Sequence, residues 1–193
     1  MIIGITGGTG CGKTTLLNAI ENVGGLVLDC DAIYHELLRT DKEMLANIEA
    51  RFPGTVMDGT LDRKKLGSIV FADKEALKDL GRITGKSIRS AIMARLENRP
   101  ALTAIDAIGL FEGGYDKLCD VTVAVTAPEA DRVARLMARD SITEEYALSR
   151  IRAQKAPEIY SSLCDRTLVN DGSMEDFQKK CLAFLTDLNI IKL

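Results

Sequence analysis

A glycine-rich stretch near the N-terminus combines residue types that can hold phosphate. The sequence GGTGCGKTT occupies residues 7–15, which we call the phosphate loop. Gly7, Gly12, Lys13 and Thr14 match the spacing G-x-x-x-x-G-K-[ST]. In that pattern backbone N–H groups cradle phosphates, the lysine reaches the β- and γ-phosphate oxygens, and the hydroxyl holds Mg²⁺. We therefore predict a site for ATP with Mg²⁺. The residues expected to contact the nucleotide are Gly8, Thr9, Gly10, Cys11, Gly12, Lys13, Thr14 and Thr15.

The residues on either side of the phosphate loop predict a strand before it and a helix after it. Ile2, Ile3 and Ile5 form a short β-branched run, and apolar residues then recur at helical spacing until Gly24-Gly25. A phosphate would thus lie at a helix N-terminus, where unpaired N–H groups and the helix dipole favour negative charge. A merely flexible glycine-rich turn is the alternative, and the four matched positions in this context argue against it.

Two aspartates follow the second apolar run, in the segment LDCDAIYHELL. Asp29 and Asp31 are two residues apart, so they share one face if the chain is still extended there. In open α/β sheets ligands bind at the carboxyl ends of strands. We therefore predict that Asp31 faces the γ-phosphate, orients an acceptor hydroxyl and takes its proton. The alternative is that both aspartates only cap the next helix.

A third acidic residue ends the segment ALTAID. We predict that Asp106 binds Mg²⁺ or its water shell together with Thr14, and that Glu112 lies at the edge of the same cleft. Each acid could instead be an ordinary loop residue. Asp106 and Gly109 also fit the D-x-x-G of GTP switches, but the sequence contains no N-K-x-D to read guanine, which disfavours a GTPase.

Arginines recur with helical spacing in the C-terminal half of the chain. Arg132, Arg135 and Arg139 lie at i, i+3 and i+7, on one stripe of a helix, and a second helix is predicted for 143–154. We predict that residues 129–158 form a lid that closes over a triphosphate, neutralises transition-state charge and excludes water. Arg139 is the predicted catalytic arginine. A solvated helix face is the alternative.

The order of apolar runs predicts the fold. Five β-rich runs are separated by segments with helical periodicity, which indicates a parallel sheet covered by helices. The long gap between the second and third runs contains helical patterns and no convincing strand, so we predict an inserted helical region. The five runs are Ile2–Thr6, Leu26–Leu28, Leu102–Asp106, Val121–Thr126 and Thr167–Val169.

Composition limits the possible partners and the compartment. The chain has 193 residues and a formal charge of -3, which gives no electrostatic reason to bind nucleic acid. Five cysteines form no C-x-x-C pair and no metal-ligand spacing, which favours a reducing cytoplasm. No signal peptide or membrane-spanning run is recognisable. We expect a cytoplasmic protein with small-molecule substrates and no membrane partner, as a monomer or weak homo-oligomer.

Several segments together resemble one family. GITGGTGCGKTT is similar to G-x-T-G-G-x-G-S-G-K-S-T, and LDCDAI is similar to a D-A-D segment. Residues 58–80, DGTLDRKKLGSIVFADKEALKDL, are similar to the more specific pattern G-x-L-D-R-x-x-L-x-x-x-V-F. Later residues stand where lid arginines, a lid glutamine and a final N-x-G turn lie: Arg135, Arg139, Gln154 and Asn170-Asp171-Gly172. These patterns belong to the dephospho-coenzyme A kinase family, and the likeness covers nearly the whole chain.

The resemblance implies an activity and an architecture. It implies ATP-dependent phosphorylation of the 3′-hydroxyl of dephospho-coenzyme A, the last step of coenzyme A synthesis, with Asp31 as the base. It also implies an α/β P-loop NTPase fold of three layers, with a five-stranded parallel sheet of order 2-3-1-4-5. A single kinase domain would span 1–193, with a helical acceptor-binding insertion at 32–100 and the lid at 129–158.

Two departures from the family pattern touch the acceptor side. Gly85-Lys86 stands where the family commonly has His-Pro, and Ile108-Gly109 replaces a Pro-Leu. One alternative is therefore a related P-loop kinase with another nucleotide or small-molecule acceptor. A non-catalytic nucleotide-binding regulator is a further alternative, which is disfavoured because the groups required for catalysis are retained: Lys13, Thr14, Asp31 and Arg139.

Overall fold

The computed structural model describes residues 1–191. The elements up to residue 98 are β1 (Ile2–Thr6), α1 (Lys13–Asn22), β2 (Leu26–Asp29), α2 (Cys30–Thr40), α3 (Lys42–Arg51), β3 (Val56–Met57), β4 (Thr60–Leu61), α4 (Arg63–Val70) and α5 (Lys74–Leu96). The elements that follow are β5 (Thr103–Asp106), β6 (Val121–Thr126), α6 (Glu129–Asp140), α7 (Glu144–Arg152), α8 (Pro157–Leu163), β7 (Arg166–Val169) and α9 (Met174–Asp187).

The main sheet has five strands in the order β2-β5-β1-β6-β7. Counted along the chain as strands of this sheet, the order is 2-3-1-4-5, so the predicted fold is confirmed. The central strand β1 is parallel to both neighbours, and its Ile5 lies opposite Asp106 of β5 and Val123 of β6. All five residues of β1 are buried, as expected for a parallel strand covered on both faces.

The chain divides into two units. The first consists of Met1–Leu28 and the residues from Arg99 onward, and it contains most of the main sheet. Its core joins the sheet to α1 and α9, because helical spacing puts the apolar residues of each helix on one face. Typical buried members are Ile3, Val125, Leu16 and Phe177. Within residues 1–191, none of the helices is both long and apolar enough to cross a lipid bilayer.

The second unit, Asp29–Asn98, consists of α2 to α5 and a two-stranded hairpin. We call it the helical unit. The hairpin pairs β3 with β4 through Asp58 and Gly59, whose φ values of 51° and 73° are both positive, as a tight hairpin turn requires. The prediction that this part of the chain contains no strand is therefore wrong. Phe52 and Leu66 lie in its own apolar core.

The segment predicted as a lid contains α6, α7 and α8. Helix α6 ends at Ser141, whose left-handed φ of 53° stops the helix, and α7 begins after Thr143, whose side chain accepts the N–H of Tyr146. Leu136 of α6 and Ile151 of α7 belong to one small apolar cluster that holds the two helices together. Pro157 begins α8, where its missing N–H costs no hydrogen bond.

Candidate active site

The phosphate loop connects β1 to α1 at the carboxyl edge of the sheet. Gly12 caps α1 with a left-handed φ of 96°, and Lys13 and Thr14 are the first two residues of the helix. The ammonium group of Lys13 donates to the carbonyl of Gly7 at 3.0 Å. The helix N-terminus, the glycines and the lysine are thus brought together as the sequence indicates, in the arrangement that favours a bound phosphate.

An acid from the neighbouring strand lies beside the lysine. Asp106 ends β5, which pairs with β1, so its side chain reaches the phosphate loop. Its Oδ1 is 3.9 Å from Nζ of Lys13, and each side chain is only 14 % exposed. Thr14 is exposed in the first turn of α1. Asp106 and Thr14 can therefore offer a carboxylate and a hydroxyl, the oxygen ligands that Mg²⁺ prefers. Their role as metal ligands stays a prediction.

Two of the glycines in the phosphate loop are required by neighbouring elements. A Cβ at Gly7 would lie 2.1 Å from the carbonyl oxygen of Val125, and Gly7 has a φ of 140°. A Cβ at Gly12 would lie 2.3 Å from Nδ2 of Asn170. A side chain is excluded at Gly7 by both the neighbouring backbone and the backbone conformation, and it is strained at Gly12 because φ there is 96°.

Side chains from four later positions bind the backbone of the phosphate loop. The three consecutive carbonyls of Thr9, Gly10 and Cys11 each accept a hydrogen bond. The donors are Arg132 Nε to Thr9 O at 2.9 Å, Arg135 Nη1 to Gly10 O at 3.3 Å and Asn170 Nδ2 to Cys11 O at 3.0 Å. Gln154 also accepts the backbone N–H of Thr9 at 2.8 Å. The lid region and the turn after β7 thus hold the loop from outside.

The stripe of arginines on α6 divides into two groups. Arg132 and Arg135 contact the phosphate loop, whereas Arg139 forms a two-point ion pair with Asp140, at 2.7 and 2.9 Å. Arg150 also donates to Asp140, at 2.5 Å. The hydrogen bonds from Arg139 and then Arg150 hold the pKa of the Asp140 carboxyl well below its usual range. The catalytic role of Arg139 stays a prediction.

Arg132 contacts the phosphate loop, a role that its spacing in the sequence does not predict. Helical periodicity put it on the same stripe as Arg139, over a triphosphate, but the structure leaves it only 2 % exposed. Its position four residues into α6, immediately after β6, is the signal that could have distinguished it.

The two aspartates after β2 have different environments within the helical unit. Asp29 caps α2, and its Oδ1 accepts the backbone N–H groups of Asp31 at 2.8 Å and Ala32 at 3.1 Å. The helix already begins at Cys30, so the chain is not extended at Asp31 and the condition for a shared face of Asp29 and Asp31 is not met. Asp31 lies exposed in the first turn of α2. Its role as base stays a prediction.

The remaining predicted residues lie in the same part of the first unit as the phosphate loop. Cys11 is 2 % exposed within the apolar core, which suits a small residue that fits the turn. Glu112 forms an ion pair with Lys155, which belongs to the segment predicted as the lid. Among residues 1–191 no three His, Cys, Asp or Glu side chains are grouped to hold a metal. Mg²⁺ does not need such a group, because substrate phosphates and water usually complete its coordination.

Known proteins with similar sequences identify the family of this chain. A model of the dephospho-CoA kinase family matches residues 1–176. The chain belongs to the dephospho-CoA kinase family. A dephospho-CoA kinase of Thermus thermophilus is 36 % identical over 189 residues, covering 97 % of this chain and 92 % of that protein. That of Latilactobacillus sakei is 34 % identical over 181 residues, covering 91 % of this chain and 90 % of that protein. The predicted family is therefore confirmed.

Solved structures agree with this membership. A crystal structure from Thermus thermophilus is 36 % identical with a TM-score of 0.82, and the match covers 97 % of each chain. Dephospho-CoA kinase from Campylobacter jejuni is 27 % identical with a TM-score of 0.67, covering 97 % of this chain and 96 % of that one. Shikimate kinase from Acinetobacter baumannii, at 19 % identity and a TM-score of 0.53, covers 98 % of this chain and 95 % of that one, and it shares the fold.

Proposed function

We propose that this chain transfers the γ-phosphoryl group of ATP to the 3′-hydroxyl of dephospho-coenzyme A, giving coenzyme A and ADP, in the last step of coenzyme A synthesis. The observation that carries the proposal is the phosphate loop with Lys13 and Asp106 side by side, in a chain matched by the family model over residues 1–176. Phosphoryl transfer requires mainly positioning and charge neutralisation, so a small set of groups is sufficient.

The phosphate loop binds the triphosphate. The N–H groups at the start of α1 and the positive end of its dipole face the phosphate oxygens, and Lys13 adds a point charge at the β- and γ-phosphates. Lys13 is held ready for this by its bond to the Gly7 carbonyl. Residues 8–15 are the proposed nucleotide contacts.

Asp106 and Thr14 are the proposed protein ligands of Mg²⁺. Both offer hard oxygen atoms, and Asp106 lies beside the lysine that would contact the same phosphates. Asp106 and Thr14 would hold the ion, which would supply positive charge against the charge that develops on the phosphates during transfer. Lys13 would share this task, because its ammonium group adds a positive point charge at the same phosphates.

The acceptor hydroxyl needs a base and a closed site. Asp31 takes the proton of the 3′-hydroxyl as the hydroxyl attacks, and the acceptor-binding region is residues 32–100. Arg139 acts from the lid, residues 129–158, on the charge of the transferring group. The ion pair with Asp140 can hold Arg139 in place until the triphosphate binds, which suits this role. We infer a cytoplasmic enzyme, a monomer or weak homo-oligomer, that acts on small molecules and not on nucleic acid.

An assay with ATP, Mg²⁺ and dephospho-coenzyme A tests the proposal. Coupled detection of ADP should show turnover, and phosphorus NMR of the product should show the new phosphate on the 3′-oxygen of the ribose. A wild-type enzyme that ignores dephospho-coenzyme A but phosphorylates a nucleoside monophosphate would overturn the acceptor assignment.

The lysine provides the first test of the site. Lys13→Ala should lower turnover by at least about 10²-fold and weaken ATP binding, because it removes the charge on the β- and γ-phosphates. Lys179→Ala, at an exposed lysine of α9, is the matched control and should remain active. Circular dichroism should be the same for both variants. Full activity of Lys13→Ala with an unchanged spectrum would contradict the loop assignment.

A further inference from the structure

Arg132 is a buried cation beneath the phosphate loop. It is 2 % exposed, and buried guanidinium groups are normally paired with a carboxylate. Within residues 1–191 the structure gives Arg132 no ion pair. Its donors bind neutral oxygens instead, Nε to the carbonyl of Thr9 at 2.9 Å and Nη2 to Oε1 of Gln154 at 3.4 Å. The protein therefore leaves a positive charge under a loop that is built to bind an anion.

Gln154 binds the backbone of Thr9 at the end of the residue opposite to the carbonyl that Arg132 binds. Its Oε1 accepts the N–H of Thr9 at 2.8 Å, while Arg132 binds the Thr9 carbonyl. Both peptide groups that flank Thr9 are thus fixed by side chains that also bind each other.

The loop backbone lies directly against this pair. A Cβ at Gly8 would be 2.4 Å from Nη2 of Arg132, and a Cβ at Gly10 would be 2.9 Å from the backbone oxygen of Arg132. Glycine at both positions therefore has a reason besides phosphate contact. It allows the loop to lie close to α6, so that Arg132 can reach Thr9.

A hydrogen bond that fixes a backbone carbonyl also orients the N–H of the following residue. In a trans peptide the C=O and the following N–H point in opposite directions, and residues 1–191 contain no cis peptide. The bond from Arg132 to the Thr9 carbonyl therefore turns the N–H of Gly10 away from Arg132. The bond from Asn170 to the Cys11 carbonyl does the same for the N–H of Gly12. These amides then face the opposite side of the loop.

We propose that Arg132 and Gln154 are positioning residues for nucleotide binding, which hold Thr9 so that the loop amides are aimed at phosphate before ATP arrives. Arg132 in addition contributes positive charge from beneath the loop. The inference deepens the proposed function and rests on it in one respect, that the loop binds ATP. It does not depend on the identity of the acceptor.

Calorimetric titration of the wild type and three variants with ADP tests this pair. Gln154→Met and Arg132→Met should each weaken ADP binding roughly tenfold, because a loop released at Thr9 spends only a fraction of its time in the binding conformation. The double variant should be little weaker than Arg132→Met, since both changes release the same residue. Affinity for dephospho-coenzyme A should stay within twofold in all of them.

Matched controls separate positioning from general stability. Arg166→Met and Gln178→Met remove the same groups from exposed positions and should bind ADP like the wild type. Arg132→Lys keeps the charge and should recover part of the affinity that Arg132→Met loses. If Arg132→Met does not fold, Gln154→Met decides, because Gln154 is neutral and only half-buried.

Two results would overturn the proposal. One is wild-type ADP affinity in Gln154→Met, and the other is an equal loss of ADP and dephospho-coenzyme A affinity, which would indicate a structural role only. A wild-type chain that binds ADP but does not phosphorylate dephospho-coenzyme A would overturn the acceptor assignment instead. The ADP titrations would still decide the role of the pair.

Discussion

Replacing Asp31 by Asn separates a catalytic role from a capping role. The N–H groups at the start of α2 are accepted by Asp29, so Asp31→Asn leaves the cap intact. It removes only one negative charge from the first turn, an effect of about 0.3–1 kcal/mol on helix stability. For a chain of this length the melting temperature should then fall by at most about 4 °C. An amide cannot accept the proton of the acceptor hydroxyl, and general-base catalysis is worth roughly 10²–10⁴-fold.

Steady-state kinetics with the charge-matched variant Asp29→Asn provide the assay. Asp31→Asn should lower kcat at least about 10²-fold while KM for ATP and dephospho-coenzyme A stays within several-fold. Asp29→Asn removes the same charge two residues away, and Asn caps a helix about as well as Asp, so it should keep most of its activity. Full activity of Asp31→Asn would refute its role as base. Equal losses in the two variants would also refute it, because they would show an effect of charge alone.

Three further predictions concern stability. Gly7→Ala should unfold the protein or lower the free energy of unfolding in urea by more than about 4 kcal/mol, because its Cβ would meet the Val125 carbonyl. Gly24→Ala, at a φ of 82° but in open space, should lower it by only about 1–2 kcal/mol. Equal costs would contradict the crowding. Asn170→Leu should cost about 1–3 kcal/mol, since a loop carbonyl loses its donor, and wild-type stability would argue against that bond. Burial raises the pKa of Cys119 to about 12 from 9.0. Between these two pH values the folded state therefore keeps a proton that the unfolded state loses. The resulting contribution to the free energy of unfolding is complete below pH 9 and is lost as the pH rises toward 12. The stability difference between wild type and Cys119→Ala should shrink from pH 8 to pH 10.5, and a constant difference would contradict the shift.

The central part of the fold could be predicted because its signals are local. Strand β1 has the predicted bounds, Ile2–Thr6, since an apolar run ends at a glycine whose φ no other residue adopts easily. Lys13 begins helix α1 for a similarly local reason, because Gly12 before it adopts a left-handed φ that starts the helix. The strand order was implied by the resemblance and not by periodicity, and the sheet confirms it.

Shorter elements were missed because their signals compete. The dipeptide Asp58-Gly59 is typical of turns between helices and of hairpins alike, and the strands on either side of it are only two residues long. Near Asp29 the apolar run suggested an extended chain. The aspartate side chain satisfies two backbone N–H groups, which allows the helix to begin at Cys30, one residue after it.

The roles of the arginines on α6 depend on sheet order, which periodicity alone does not contain. Arg132 and Arg139 are seven residues apart, or roughly 10 Å along the helix axis, so one stripe can reach two different places. Strands β1 and β6 are neighbours, and the link from β6 to α6 is only two residues long, so the first turn of α6 must lie beside the loop that follows β1. Arg132 belongs to that turn, and Arg139 belongs to the last one. The implied order 2-3-1-4-5, combined with the short link, is therefore sufficient to predict that Arg132 lies at the phosphate loop.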